Sequence, residues 1–276
     1  MAEELVLATD EEKAALITKL GEVPEVDLMP GVKTRIIPAQ NMTLSFAHIG
    51  PHAAGKPHSH ACEQVIVGLS GQIDILLDGK LYAINAGEVI VVPGGAEHTG
   101  LTGDEECRVV EIFSPARKDF EEKLAAAKAG EAPAVPPAPA DVAESDNGYP
   151  RATDAERAAM VTKVEDVPMV QLRPGANTAI VPAENVTLSF LHLSAGLDAK
   201  PHSHPHEQVV VLLKGEMEVA LDGKLYRVNA GEVGVLPGGI PHSGVTRDVE
   251  CEVLDVFSPA RKDFEEKLAD AREQRG

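Results

Sequence analysis

Adding 144 to a residue number in the first half of this 276-residue chain reaches its counterpart in the second. Thr9-Asp10 returns as Thr153-Asp154, and Thr43-Leu44-Ser45-Phe46 as Thr187-Leu188-Ser189-Phe190. Asp78-Gly79-Lys80-Leu81-Tyr82 returns as Asp222-Gly223-Lys224-Leu225-Tyr226, and Phe113 through Phe120 is repeated letter for letter as Phe257 through Phe264. An offset kept without a gap describes a duplicated domain. A solenoid would need more and shorter copies. The expected organisation is a domain over 1–128, a Pro/Ala-rich linker over 129–152 and a second domain over 153–276.

Within a copy, short apolar runs alternate with turn signals at Pro30-Gly31, Gly50-Pro51, Asp78-Gly79, Ala86-Gly87 and Pro93-Gly94-Gly95. An Asp-Gly pair between two apolar runs predicts a tight hairpin. Thr9 or Asp10 caps a helix expected to reach about Leu20, and Pro115 to Ala127 reads as a second helix. Many short strands and no long central helix predict an all-β fold with short flanking helices, a small antiparallel barrel or jelly roll. Aromatic residues are 3% of the chain and tryptophan is absent, so aliphatic side chains must fill the cores.

Six of the ten histidines fall in two matching sets. His58, His60 and Gln64 are followed by Pro93-Gly94-Gly95 and His98; His202, His204 and Gln208 are followed by Pro237-Gly238-Gly239 and His242. Residues of one parity share a face of a strand, so a regular strand points the first three of each set the same way. The last histidine, just past a glycine-rich turn, sits where a neighbouring strand begins. Two sites of three histidines and one glutamine suit a divalent transition metal (Zn, Mn, Ni or Fe), one per domain.

The formal charge of −19 disfavours nucleic acid and anionic membrane surfaces. No stretch has the length and apolarity of a membrane span, and the first residues lack the pattern of a signal peptide. Three cysteines, Cys62, Cys107 and Cys251, make no disulfide framework, so a reducing cytoplasm is the expectation. The expected partner is a small-molecule substrate. The duplication is compatible with a monomer whose halves mimic a dimer, or with a homo-oligomer.

Each copy resembles a cupin. The family's first motif is matched by His58, His60 and Gly71 and by His202, His204 and Gly215; the second by Gly87, Pro93, Gly95 and His98 and by Gly231, Pro237, Gly239 and His242. The leading glycine is present as Gly196, whereas His52 stands there in the first copy. The resemblance implies two tandem jelly-roll β-barrel domains, a bicupin. Glutamine occupies the usual carboxylate position, and Glu63 and Glu207 sit one residue early, which sends a strand side chain to the opposite face. Gln64 and Gln208 are therefore the expected fourth ligands. Neutral ligands leave a metal its full charge, which favours Lewis-acid work over oxidation.

The second copy is similar to the small cupins of the pectin-degradation type, which linearise unsaturated uronate sugars. That resemblance implies that Asp255 and Phe257 flank the metal as acidic and aromatic partners, with Glu111 and Phe113 as their first-copy counterparts. A carboxylate there serves as general acid or base, or orients a metal ligand. The expected activity is isomerisation, ring opening or a lyase step on a small carbonyl or uronate-like compound. A second expectation is an iron-dependent dioxygenase, and a third a non-catalytic protein that binds metal or a small ligand. Cys62 reads as a small apolar residue, with a reactive or metal-proximal thiol as the alternative, and His206 as a local packing residue, with an additional acid/base group as the alternative. Parity with Phe46 and Phe190 leaves His48 and His192 as pocket groups or core residues, with the pocket favoured. Lys56 and Lys200 read as surface lysines, with pairing to a substrate carboxylate as the alternative.

Overall fold

The computed structural model describes residues 5–131 and 148–275. Positions 132–147 of the expected linker lie outside the described residues. The chain forms two compact units, Pro24–Asp166 and the combination of Met1–Val23 with Val167–Gly276.

In the unit Pro24–Asp166 a seven-stranded sheet runs in the order Val161–Lys163, Glu88–Val92, Glu63–Ser70, Cys107–Ser114, Thr43–Ile49, Val32–Pro38, Val26–Met29. A three-stranded sheet, His98–Leu101, Gln72–Leu77 and Lys80–Asn85, accompanies it. Ile66, Ile90 and Val109 of the larger sheet and Ile73, Ile75 and Ile84 of the smaller one share a single apolar core. The other unit repeats this plan with a seven-stranded sheet, and Val6–Leu7 adds parallel to Lys224–Asn229 in its four-stranded sheet. The fold is all-β, two jelly-roll barrels with short helices, as the punctuation of the sequence predicts.

Local chemistry explains the turns. Leu77 pairs with Lys80 across Asp78 (φ 50°) and Gly79 (φ 75°), both left-handed, the two-residue turn whose twist matches the flanking strands. Where Gly196 takes φ 73°, its counterpart His52 takes φ 55°, so the first copy keeps the turn although it lacks the glycine.

One expectation needs correction. The first helix spans Asp10–Leu16 rather than reaching Leu20; Thr9 and Glu12 form its capping box. Beyond Leu16 the β-branched pair Ile17-Thr18 leaves the helix and becomes the strand Ile17–Lys19, paired with Glu232–Leu236. The strand ladder outweighs a further turn of helix.

The contacts group the two arms across the copies. The first copy's arm belongs to the unit of Val167–Gly276: Ile17, 5% exposed, lies in the same core as Val210 and Val228, and Lys13 pairs with Glu232 at 2.9 Å. The second copy's arm, Asp154–Met160 and Val161–Lys163, belongs to the other unit, where Val161 pairs with Ile90 and Arg157 bonds Glu88. Contacts therefore divide the chain differently from the repeat-based boundaries 1–128 and 153–276. In each unit a strand edge of unpaired backbone groups is covered by an arm from the other copy.

Ile17→Ala is therefore expected to cost about 2–4 kcal/mol, as large-to-small core substitutions do. Hydrogen exchange should accelerate in Glu232–Leu236 and stay unchanged in Glu88–Val92. Acceleration in Glu88–Val92 instead would assign the arm to its own copy.

Candidate metal centres

Each set of histidines converges. The ligating nitrogens of His58, His60 and His98 lie within 4.8 Å of one another, as do those of His202, His204 and His242. The route differs from the expected regular strand. His58 and His60 lie in the segment before the strand Glu63–Ser70 begins, and a single bridge between His58 and His98 brings two of the three together. The His202–His242 bridge does the same in the second copy.

Backbone carbonyls orient the rings. His58 Nδ1 donates to the carbonyl of Lys56 at 3.1 Å, His60 Nδ1 to that of Cys62 at 2.9 Å, and His98 Nδ1 to that of Ala96 at 3.0 Å. In the second copy, His204 Nδ1 donates to the carbonyl of His206 at 3.0 Å, and His242 Nδ1 to that of Ile240 at 2.9 Å. A neutral ring whose Nδ1 carries the proton presents a bare lone pair at Nε2. Burial holds His98 near pKa 4; burial and then the charge of Arg261 bring His204 to about 4. Both rings are neutral at pH 7.

Gln64 completes the first set. Its Nε2 donates to Glu111 Oε1 at 2.8 Å, which turns its Oε1 toward His60 Nε2 (3.1 Å) and His98 Nε2 (2.9 Å). These three atoms all carry lone pairs and, in neutral rings, have no proton to share. Such crowding is repulsive unless a cation lies among them. Donors about 3 Å apart are what neighbouring ligands of one transition metal present at bonds of about 2.1 Å. In the second set, Gln208 Oε1 lies 3.2 Å from His204 Nε2, and His242 Nε2 is buried with no hydrogen-bond partner. That orphaned lone pair is a second sign that the donors fit a metal.

The two carboxylates differ. Glu111 has both oxygens occupied, Oε1 by Gln64 and Oε2 by Ser45 at 3.0 Å, and Ser45 is braced by Thr34 at 2.8 Å. Asp255 is one carbon shorter, and its Oδ1 is buried without a hydrogen-bond partner. Its neighbour Ser189 bonds Thr178 at 2.7 Å. Burial raises both carboxyls and pushes Asp255 up to about 7, against the pull of Gln208, Arg261 and Arg173.

Phe113 and Phe257 pack edge-on against His60 and His204, with centroids 5.6 and 5.4 Å apart, and line their cavities. The cavities measure about 270 Å³ in the first copy and about 340 Å³ in the second. His48 and His192, favoured as pocket groups, stand elsewhere. Ala47 and Ile49 line the first cavity, so alternation turns His48 outward, where its Nε2 meets Glu106 at 2.9 Å. His192 likewise faces Glu250 at 3.7 Å and is 44% exposed. Cys62 is buried behind His60 and burial raises its thiol, consistent with an inert residue. His206 packs on His204 at 5.6 Å, and no atom of it lines the cavity.

Three lining arginines were not singled out from the sequence. Arg117 and Arg261 lie inside the segment repeated without change, which hid them. Arg173 was discoverable by comparing copies, because its counterpart is Met29.

A family model described as Cupin domain matches residues 45–113 and 189–257. Among curated proteins, the dimethylsulfoniopropionate lyase DddW of Ruegeria pomeroyi is 34% identical over 77 residues, 28% of this chain; the match spans about half of the lyase, 51%. The pectin degradation protein KdgF of Dickeya dadantii is 25% identical over 101 residues, 36% of this chain and 92% of that protein. Among solved structures, oxalate decarboxylase from Bacillus subtilis at pH 4.6 superposes with a TM-score of 0.65 at 13% identity, over 89% of this chain and 76% of that one. At that identity the likeness speaks for the fold alone.

Proposed function

Because this chain belongs to the cupin family, with one cupin domain in each half, we propose that it is a metal-dependent enzyme whose second site moves a proton on a small carbonyl or uronate-like compound. The observation that carries this reading is the buried, unpartnered Oδ1 of Asp255. In the first cavity the equivalent carboxylate is spent on Gln64 and Ser45. Of the two cavities, only the second offers a carboxylate oxygen to a bound molecule.

His58, His60, His98 and Gln64 would hold one divalent transition metal, and His202, His204, His242 and Gln208 another. A metal with these neutral ligands supplies undiminished positive charge to polarise a carbonyl or hydroxyl oxygen. Asp255, with its pKa near 7, takes a proton from the atom beside that oxygen and returns it elsewhere. Return to a different atom of the same molecule is isomerisation or ring opening. Loss of a leaving group in its place is a lyase step. Phe257 excludes water on one side and fixes the ring of His204. The names of the curated relatives, a lyase and a pectin degradation protein, support an enzymatic role in general.

The test is an assay of the metal-loaded chain on a 4,5-unsaturated uronate, followed by loss of its ultraviolet absorbance with and without oxygen. Equal turnover in both atmospheres is expected. Turnover that requires oxygen would overturn this reading in favour of a dioxygenase. Two bound metals with no product would leave a binding protein.

A further inference from the structure

The two cavities share their metal donors, but one wall differs. Arg173 lines the second cavity where Met29 lines the first. Both residues end a strand before a Pro-Gly turn, and Arg173 pairs with Ala176 as Met29 pairs with Val32. The backbone therefore presents the two side chains equivalently, and the difference is purely chemical.

Arg173 is unusually uncommitted. It makes no ion pair among the described residues, and its Nε is buried without a hydrogen-bond partner. Partial burial lowers its pKa, with the charge of Asp255 acting the other way. Arg261, on the same cavity, is committed: it donates to Asp263 at 3.0 and 2.7 Å and stacks on Phe257 and Phe264. Arg117 is held the same way by Asp119 in the first copy. Lys200 also lines the second cavity. A guanidinium with an idle donor on a cavity wall fits the paired oxygens of a carboxylate. A thioether in its place supplies apolar contact only.

We propose that the second cavity receives the carboxylate of a small carbonyl acid on Arg173, with Lys200 beside it, and that the first cavity, walled by Met29, takes a neutral ligand. The duplication has then produced two specificities on one set of metal donors. Arg173 selects the ligand, and Asp255 acts on it. The inference rests on the proposed function in assuming that both cavities admit small carbonyl compounds.

Calorimetric titration of the metal-loaded full chain with pyruvate and with pyruvamide, which keeps the carbonyl but not the charge, tests it. The wild type should take one pyruvate per chain. Arg173→Met should weaken pyruvate binding by about tenfold or more and leave pyruvamide unchanged. Arg173→Lys, which keeps the charge but not the fork, should fall between. Met29→Arg should add a second pyruvate site in the other cavity, which decides the matter should the Arg173 variants fail to fold. Equal pyruvate affinity in wild type and Arg173→Met, two equal pyruvate sites in the wild type, or no new site in Met29→Arg would overturn the inference. If pyruvamide binds and the exchanges do nothing, selectivity fails while the proposed function stands. If neither compound binds to a chain carrying two metals, both fall.

Discussion

Asp255→Asn is expected to lower turnover about 10²–10⁴-fold, the range of a lost general acid or base, with both metals still bound. Asparagine keeps the size of the side chain but cannot take a proton. Glu111→Gln is the control: its oxygens are held by Gln64 and Ser45, so the change should leave turnover within a few-fold. Metal analysis of each variant beside its rate checks both. Unchanged turnover in Asp255→Asn would remove this carboxylate from the chemistry.

The same variant makes a prediction about stability. The folded carboxyl titrates at about 7 and the unfolded one at the ordinary 3.8. Between those values the folded state keeps a proton that the unfolded state releases, so this group's contribution falls as pH rises through the window. Asp255→Asn removes that slope. Denaturation of the chelated protein should show the variant gaining on wild type between pH 4 and pH 8, by on the order of 2–4 kcal/mol. A constant difference across that range would mean that Asp255 is ionised in the fold throughout.

Metal removal has the second large effect. The lone pairs of His60 and His98 sit 3.1 and 2.9 Å from Gln64 Oε1 and repel it without a cation. Chelation should lower the unfolding free energy by about 4 kcal/mol per site when free metal stands near a thousand times Kd. His98→Ala and His242→Ala should each reduce bound metal from two per chain to one. Only His242→Ala should abolish activity, because the site with the unpartnered carboxylate oxygen is the second. A melting temperature indifferent to chelator would contradict the metal reading.

Much of this was legible before any fold was in view. The 144-residue offset, the turn at Asp78-Gly79 and the spacing of His58, His60, Gln64 and His98 each reflect chemistry carried by a few neighbouring residues. The hairpin needs only two left-handed residues, and Asp-Gly supplies them. Alternation within the strand Glu63–Ser70 separates Gln64 from Glu63, and Gln64 is the side chain whose oxygen meets the histidines, although His58 and His60 themselves precede that strand. His48 shows the limit of that logic. Alternation groups it with Phe46, but which of two faces becomes the interior depends on the partner sheet.

The exchange of arms was not legible, because Thr9-Asp10 and Thr153-Asp154 begin nearly equivalent segments. Either arm satisfies either edge locally, and only the path of the chain in space selects one. The inequality of the two centres was half legible: Glu111 against Asp255 and Met29 against Arg173 are visible as letters. That one methylene lets Glu111 reach both Ser45 and Gln64, whereas Asp255 keeps an unpartnered oxygen, is a matter of ångströms across the barrel. Sequence alone determined the duplicated β fold and which residues form the two histidine clusters, because turn chemistry and motif spacing are local. Tertiary structure decided which arm covers which edge, which face is interior and which carboxylate is free, because those depend on distances between strands far apart in the chain.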